Sequence, residues 1–101
     1  MGKTVRWGQF EWDEEKSELN KKIHGLDLKE ATEAFKDPDR TIAINEAHSQ
    51  EEQRFYLMGL VQGRVATIRF TYRGNIVRLI GAGYWRKGRK IYEKEKKHRS
   101  K

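Results

Sequence analysis

Residues 52–80 read EQRFYLMGLVQGRVATIRFTYRGNIVRLI and contain three apolar-rich segments separated by two short polar loops. Loops of two residues with a glycine typically join neighbouring antiparallel strands. The stretch therefore predicts a β-meander, with strands Glu52–Val61, Arg64–Arg73 and a third from Ile76 onward, joined by Gln62-Gly63 and Gly74-Asn75.

Loops this short also fix which residues face each other, because side chains alternate between the two faces of a strand. Pairing Val61 with Arg64 and Arg73 with Ile76 predicts one apolar face, made by Phe55, Leu57, Gly59, Phe70, Ile68, Ala66, Leu79 and Gly81. On the other face the same register predicts a row of Arg54, Thr71 and Arg78, and beside it a row of Tyr56, Arg69 and Ile80. A β-bulge would shift either register.

Three guanidiniums and one phenol on a single sheet face suit a phosphodiester, because each arginine donates a forked pair of hydrogen bonds to phosphate oxygens. The alternative is an ordinary solvent-exposed face whose arginines pair with nearby acids such as Glu52.

The flanking segments complete an α+β fold in the order βααββββα. Asp13 and Gly25 have the residue types that begin and end a helix, Asp27 and Glu30 form a capping box, and Gly81 and Gly83 are expected to break the last strand. The predicted elements are a strand at Gln9–Asp13, helices at Glu14–His24 and Leu28–Phe35, a strand at Thr41–Asn45, and a helix from Arg86 to about Lys97 with Ile91, Tyr92 and Trp85 facing inward.

The length and composition predict one domain, residues 1–101, with a core at about 9–92 and a basic tail at 93–101. The chain has no cysteine and only three scattered histidines, so we expect neither a metal site nor a cofactor. Because no apolar run is long enough for a membrane span or a signal peptide, we expect a cytoplasmic protein that does not engage membranes.

The formal net charge of +7 is concentrated in Arg86–Lys101, which contains nine Lys or Arg and two Glu. Such a segment suits RNA or another nucleic acid, an acidic partner protein or anionic lipid, and nucleic acid is the expectation we favour. A merely solvated chain end is the alternative.

The first predicted helix carries a second polar group, because Lys16, Asn20 and His24 recur every fourth residue. Leu19 and Ile23 beside them are expected to pack on the sheet. A histidine at such a position can transfer protons near neutral pH, and Lys16 could hold a phosphate. Alternatively, His24 simply favours the C-terminal end of the helix.

A series of short motifs matches a known family in both order and spacing. The series begins with Phe10-Glu11-Trp12-Asp13-Glu14-Glu15-Lys16, Asn20, His24-Gly25, Glu30-Ala31 and Phe35-Lys36-Asp37-Pro38. It continues through Glu52-Gln53-Arg54-Phe55, Gly59, Thr71-Tyr72-Arg73-Gly74 and Ile76-Val77-Arg78-Leu79-Ile80. On these residues the chain resembles the BrnT-type toxins, and the likeness covers about Phe10 to Tyr92. Two departures stand out: many relatives read Ile-Ser-Ala-Arg where this chain has Ile80-Gly81-Ala82-Gly83, and Ile23 replaces a frequent lysine.

The resemblance implies a fold similar to RelE and ParE toxins, a ribonuclease activity that halts translation, and neutralisation in a complex with a partner antitoxin of the BrnA type. A metal-independent ribonuclease needs proton transfer and positive charge at the phosphate. We therefore predict phosphate stabilisation by Arg54, Arg69 and Arg78, proton transfer by His24 with Glu52 as a reserve base, and RNA binding by Lys16, Lys22, Tyr84, Trp85, Arg86 and Lys87.

Two other functions stay open at this point. The first is a module of the same fold that binds nucleic acid or protein and cleaves nothing. The second is a ParE-like poison of a gyrase-type target, which follows from fold analogy alone.

Overall fold

A computed structural model describes residues 2–48 and 52–99 of the chain. Helices flank a six-stranded mixed sheet, so the predicted α+β class is confirmed. The sheet order is β1-β2-β6-β5-β4-β3. The strands are β1 (Thr4–Trp7), β2 (Phe10–Asp13), β3 (Thr41–Ile44), β4 (Arg54–Val61), β5 (Arg64–Arg73) and β6 (Ile76–Gly83). The helices are α1 (Glu14–His24), α2 (Leu28–Ala31) and α3 (Arg86–Arg99), with 3₁₀ helices at Thr32–Lys36 and Glu46–His48.

The predicted meander forms β4, β5 and β6, and the register between β4 and β5 is as predicted along its whole length. Val61 faces Arg64, Leu57 faces Ile68, and Arg54 faces Thr71. The turn between the strands places both of its central residues at positive φ, 52° at Gln62 and 79° at Gly63. A turn of this kind matches the twist of the strands it joins and so holds their register.

Between β5 and β6 the register shifts at a β-bulge beside Arg69 and Phe70. Phe70 faces Leu79 as predicted, but Arg69 then faces Gly81 instead of Ile80, and the predicted pairing of Ile68 with Gly81 is also wrong. The Arg69 side chain occupies the space above Gly81, where an added Cβ would overlap a guanidinium nitrogen. Gly81 therefore lies inside β6 and makes room for Arg69.

The glycines of β6 do not break the strand, contrary to the prediction, because β6 continues to Gly83. At Gly83 a Cβ would lie 2.6 Å from the Trp85 ring. The missing side chain therefore allows the indole to lie directly on the strand.

The N-terminal strand pair makes the sheet mixed. β1, which the sequence analysis did not predict, pairs antiparallel with β2 through a turn that contains Gly8 at φ 62°. β2 then runs parallel to β6, but the two strands share only the pairs Phe10 with Val77 and Glu11 with Arg78. Beyond Arg78, β2 no longer covers this edge of β6.

One face of the sheet forms the core with α1, α2 and the first 3₁₀ helix. Its buried residues include Trp12, Leu28, Leu57, Ile68, Phe70, Leu79 and Ala82. The capping box of Asp27 and Glu30 is present, but the predicted helix Leu28–Phe35 becomes 3₁₀ at Thr32. This segment packs so closely on β4 that a Cβ on Gly59 would lie 2.5 Å from the Ala34 carbonyl oxygen.

Helix α1 packs through polar residues, so the prediction that Leu19 and Ile23 pack on the sheet is wrong. Leu19 is 54% exposed and Ile23 62% exposed, whereas Ser17 and Asn20 are buried. The Asn20 amide donates to the Ala82 carbonyl (2.8 Å) and to the Leu26 carbonyl (2.9 Å), and its oxygen accepts from the Ala82 N–H (3.1 Å). Asn20 thus supplies the hydrogen bonds that β2 does not provide at this point of β6.

The other sheet face, which we call the outer face, carries Arg54, Tyr56, Arg69 and Arg78 and packs against α3. Helix α3 lies close to this face at Gly88, where a Cβ would overlap the Thr67 hydroxyl. Tyr92 is buried as predicted, but Ile91 is 37% and Trp85 39% exposed, contrary to the inward orientation predicted for both. The helix continues to Arg99, and the last two residues of the predicted basic tail lie outside the described residues.

Candidate functional site

The outer face brings together the polar residues predicted from the strand register. Arg54, Thr71 and Arg78 form one row, and Tyr56 faces Arg69 in the next row along the strands. These arginines have different surroundings, and the differences decide which of them can receive a phosphate.

Arg78 forms an ion pair with an acidic residue. Its guanidinium donates to Glu11 and to the Thr4 hydroxyl, both at 3.3 Å, and its side chain is only 18% exposed. Glu11 also accepts from Arg6 at 3.5 Å, so one carboxylate joins two arginines across three strands. Arg73 at the end of β5 pairs with Glu52, the reserve base of the sequence analysis, at 3.3 Å. In this part of the sheet the arginines therefore pair with nearby acids, which was the alternative to a phosphate-binding face.

Arg69 is exposed and, within residues 2–48 and 52–99, no carboxylate lies within ion-pair distance of it. It lines a cavity of about 500 Å³ between the outer face and the start of α3, which we call the sheet groove. The other polar side chains that line it are Tyr56, Thr67, Trp85 and Lys87, and Met58 and Ile91 add apolar surface.

A second cavity, of about 540 Å³, lies between the β4–β5 hairpin and α3, and we call it the hairpin groove. The Arg64 guanidinium stacks 4.0 Å from the centre of the Tyr84 ring, and the Tyr84 hydroxyl donates to the Val61 carbonyl at 3.4 Å. Burial raises the pKa of Tyr84 above its ordinary value, so the phenol keeps its proton. Arg86 and Arg89 line the same groove.

Trp85 is the wall that the two grooves share. One side of its ring lies on Gly83, and His24 contacts it edge-on with ring centres 5.1 Å apart. His24 itself lines neither groove. The structure therefore places His24 behind Trp85, at the end of α1.

Helix α3 is held in place by Asp37, a residue the sequence analysis did not nominate. The carboxylate accepts from the Tyr92 hydroxyl (2.6 Å), the Leu60 N–H (2.9 Å) and the Asp39 N–H (2.8 Å). Burial alone would raise the pKa of Asp37, but these hydrogen bonds lower it below its ordinary value. Burial and the bond to Asp37 raise the pKa of Tyr92 in turn. This contact joins α3 to the edge of β4 and so fixes one wall of the hairpin groove.

The predicted site residues thus divide into three sets. Arg69, Trp85 and Lys87 meet in the sheet groove, and Tyr84, Trp85 and Arg86 meet in the hairpin groove. Arg54 and Arg78 share the outer face but line neither groove. Lys16 and Lys22 also line neither groove, because α1 packs on the core side of the sheet.

Arg64 and Arg89 also line the hairpin groove, and neither was predicted as a site residue from the sequence. The sequence did contain an indication for Arg64, because this arginine directly follows the Gln62-Gly63 turn and precedes apolar residues of the next strand. Its partner Tyr84 is twenty positions away in the sequence, so only the folded chain shows the stack.

Among residues 2–48 and 52–99, no group of three His, Asp or Glu side chains could hold a metal ion. In the same part of the chain, no helix combines the length and the apolar character that crossing a membrane requires.

A comparison with curated proteins gives no match. A comparison with protein families does: residues 12–88 match the model of the family described as "Ribonuclease toxin, BrnT, of type II toxin-antitoxin system". The matched range covers more than half of the chain and includes the end of β2, α1, α2, strands β3 to β6 and the first three residues of α3. The chain therefore belongs to the BrnT family of ribonuclease toxins, whose substrate is RNA and which act within toxin–antitoxin systems.

Proposed function

We propose that this toxin cleaves single-stranded RNA without a metal ion, by attack of a ribose 2′-hydroxyl on the adjacent phosphorus in the sheet groove. The observation that carries the proposal is Arg69, an exposed arginine above Gly81 in a groove that also presents Tyr56 and Lys87. No described carboxylate competes with a phosphate for this guanidinium, in contrast to Arg78 and its partner Glu11.

The reaction forms a bond between the 2′-oxygen and phosphorus and breaks the bond between phosphorus and the 5′-oxygen. Negative charge grows on the two non-bridging oxygens, and the forked N–H groups of Arg69 stabilise it, with Lys87 as a second cation. The 2′-hydroxyl loses its proton to solvent, and the departing 5′-oxygen takes a proton from the Tyr56 phenol, which recovers one from water. The product is a 2′,3′-cyclic phosphate and a free 5′-hydroxyl.

Trp85 gives the groove a surface on which a base can stack, an interaction that holds single-stranded RNA without sequence readout. We propose that His24, which contacts Trp85 from outside the grooves, positions the indole instead of transferring a proton. Arg54 extends the same face toward phosphates further along the strand, whereas Arg78 remains paired with Glu11. Lys16 and Lys22, on the opposite side of the sheet, attract RNA only at long range.

Regulation follows from the same surface. We propose that a BrnA-like antitoxin neutralises the toxin in the cytoplasm by placing an acidic segment over the sheet groove, so that inhibition excludes RNA directly. The lysines and arginines of α3 would steer such a segment, which predicts faster association at low salt.

The test is the fate of a single-stranded RNA incubated with the purified protein in EDTA, compared with DNA of the same sequence. Cleavage of RNA to fragments that end in 2′,3′-cyclic phosphate, with the DNA left whole, supports the proposal. A requirement for added Mg²⁺, or fragments with 5′-phosphate ends, would overturn it. RNA that is bound but stays whole would show the non-catalytic binding module that the sequence analysis left open.

A further inference from the structure

The hairpin groove is a second cationic cavity that the cleavage step does not use. It is about as large as the sheet groove, at about 540 Å³, and both fall within the range typical of small-ligand sites. Arg64, Arg86 and Arg89 line it, and Glu93 is the carboxylate among its lining residues. Within the described residues, none of these three arginines has a carboxylate at ion-pair distance. These arginines are therefore available to bind an anion in the groove.

Arg64 contacts the aromatic ring of Tyr84. Its guanidinium carbon lies 4.0 Å from the centre of the ring, and the ring is anchored because its hydroxyl donates to the Val61 carbonyl. A cation–π contact does not consume the guanidinium N–H groups, which stay available for hydrogen bonds. The stack thus presents a preorganised fork to a phosphate while giving up little side-chain entropy on binding.

The two grooves adjoin at Trp85, which lines both of them. A strand that stacks on the indole in the sheet groove therefore lies next to the hairpin groove. Gly83 and His24 both contact the indole and so support the ring. This arrangement suits a chain of nucleotides better than two independent small ligands.

We propose that the hairpin groove binds the next nucleotide along the same single strand of RNA, one position beyond the two nucleotides that the cleaved phosphodiester joins. Arg64 and Arg89 hold its phosphate, and Tyr84 with Trp85 contacts its base. The toxin then gains affinity from substrate length, and a dinucleotide is a poorer substrate than a longer RNA with the same cleavage site. This inference rests on the proposed function, since it takes the sheet groove as the place of cleavage.

The experiment compares a dinucleotide with a hexanucleotide, both containing the cleavage site mapped for this protein. For the wild type we expect kcat/KM to rise roughly tenfold or more with length, because base stacking and a phosphate contact are added. Arg64→Ala and, independently, Arg89→Ala should lose most of this gain and leave dinucleotide cleavage unchanged. Lys90→Ala on the exposed side of α3 is the matched control, since Lys90 lines neither groove. Arg89 lies on α3, so a loss in Arg89→Ala does not depend on the β4–β5 hairpin, which Arg64→Ala could disturb.

Binding separates this inference from the proposed function. With non-cleavable 2′-deoxy analogues, each arginine variant should weaken hexanucleotide binding and lower the salt slope of its affinity by about 0.7, as loss of one phosphate contact requires. Binding that increases with RNA length, without any cleavage, would overturn the proposed function but would still support RNA binding in the hairpin groove. The inference itself would be overturned by either of two results. One is that kcat/KM rises with RNA length as much in both arginine variants as in the wild type. The other is that each variant lowers kcat/KM equally for the dinucleotide and the hexanucleotide.

Discussion

Replacing Asn20 with Ala removes the side chain that closes the edge of β6. Three hydrogen bonds are lost, two with the backbone of Ala82 and one with the Leu26 carbonyl, at distances of 2.8 to 3.1 Å. The side chain is buried and 8% exposed, so water cannot readily replace these bonds. Each contributes about 1 kcal/mol net, which gives a loss of about 3 kcal/mol in the free energy of unfolding. The higher helix propensity of Ala offsets about 0.5 kcal/mol of that loss.

The assay is thermal and urea unfolding followed by circular dichroism. For a domain of this size, about 1 kcal/mol corresponds to a shift in Tm of about 4–8 °C, so Asn20→Ala should lower Tm by about 10–20 °C. The control is Ile23→Ala in the same helix, where the side chain is 62% exposed and a change within about 0.5 kcal/mol is expected. If Asn20→Ala were as stable as Ile23→Ala, the assignment of a polar buried face to α1 would be refuted.

Two further changes test how the helices are held on the sheet. Asp37→Asn removes a carboxylate whose pKa the fold lowers, so its stabilising effect is present at neutral pH and is lost as the pH falls through that lowered pKa. In urea unfolding from about pH 7 to about pH 3, the wild type should therefore lose more stability than the variant, and parallel curves would contradict this role. Gly59→Ala forces a Cβ to within 2.5 Å of the Ala34 carbonyl oxygen, and should lower the free energy of unfolding by about 2–3 kcal/mol in the same assay. Unchanged stability would show that the 3₁₀ segment moves away freely.

The parts of the fold that could be predicted from the sequence depend on local interactions. The register of β4 and β5 follows from the two-residue turn at Gln62-Gly63, in which Gly63 readily accepts positive φ. The start of α1 and its end at Gly25 follow from Asp13, which accepts from the Lys16 N–H, and from a glycine at φ 83°. Each of these features is decided by residues within a few positions of one another.

The parts that could not be predicted depend on distant segments. The buried face of α1 is polar because β2 leaves β6 after Arg78 and Asn20 takes its place, and nothing in the helix itself indicates this. The bulge beside Arg69 likewise depends on the fit of one side chain above Gly81. An amphipathic pattern alone therefore placed Leu19 and Ile23 on the wrong side.

The candidate site shows the same division. Residue type and strand register were enough to nominate Arg69 and to place Tyr56 beside it, and both lie in the sheet groove. The groove itself exists because α3 crosses the outer face, at a position set by Gly88 and by the bond from Tyr92 to Asp37. Lys16 was nominated from helical spacing without knowledge of which sheet face α1 would cover.

The most direct test of the account is the single-turnover rate of RNA cleavage by Arg69→Ala, compared with Arg73→Ala. The two arginines lie on the same strand and the two changes remove the same charge, but Arg73 pairs with Glu52 and lines neither groove. Loss of one preorganised donor to the developing charge should slow cleavage by Arg69→Ala on the order of 100-fold, at unchanged fold and RNA concentration. Arg73→Ala should cleave at close to the wild-type rate. Cleavage by Arg69→Ala at the wild-type rate, or an equal loss in both variants, would contradict the central claim that the sheet groove is the catalytic site.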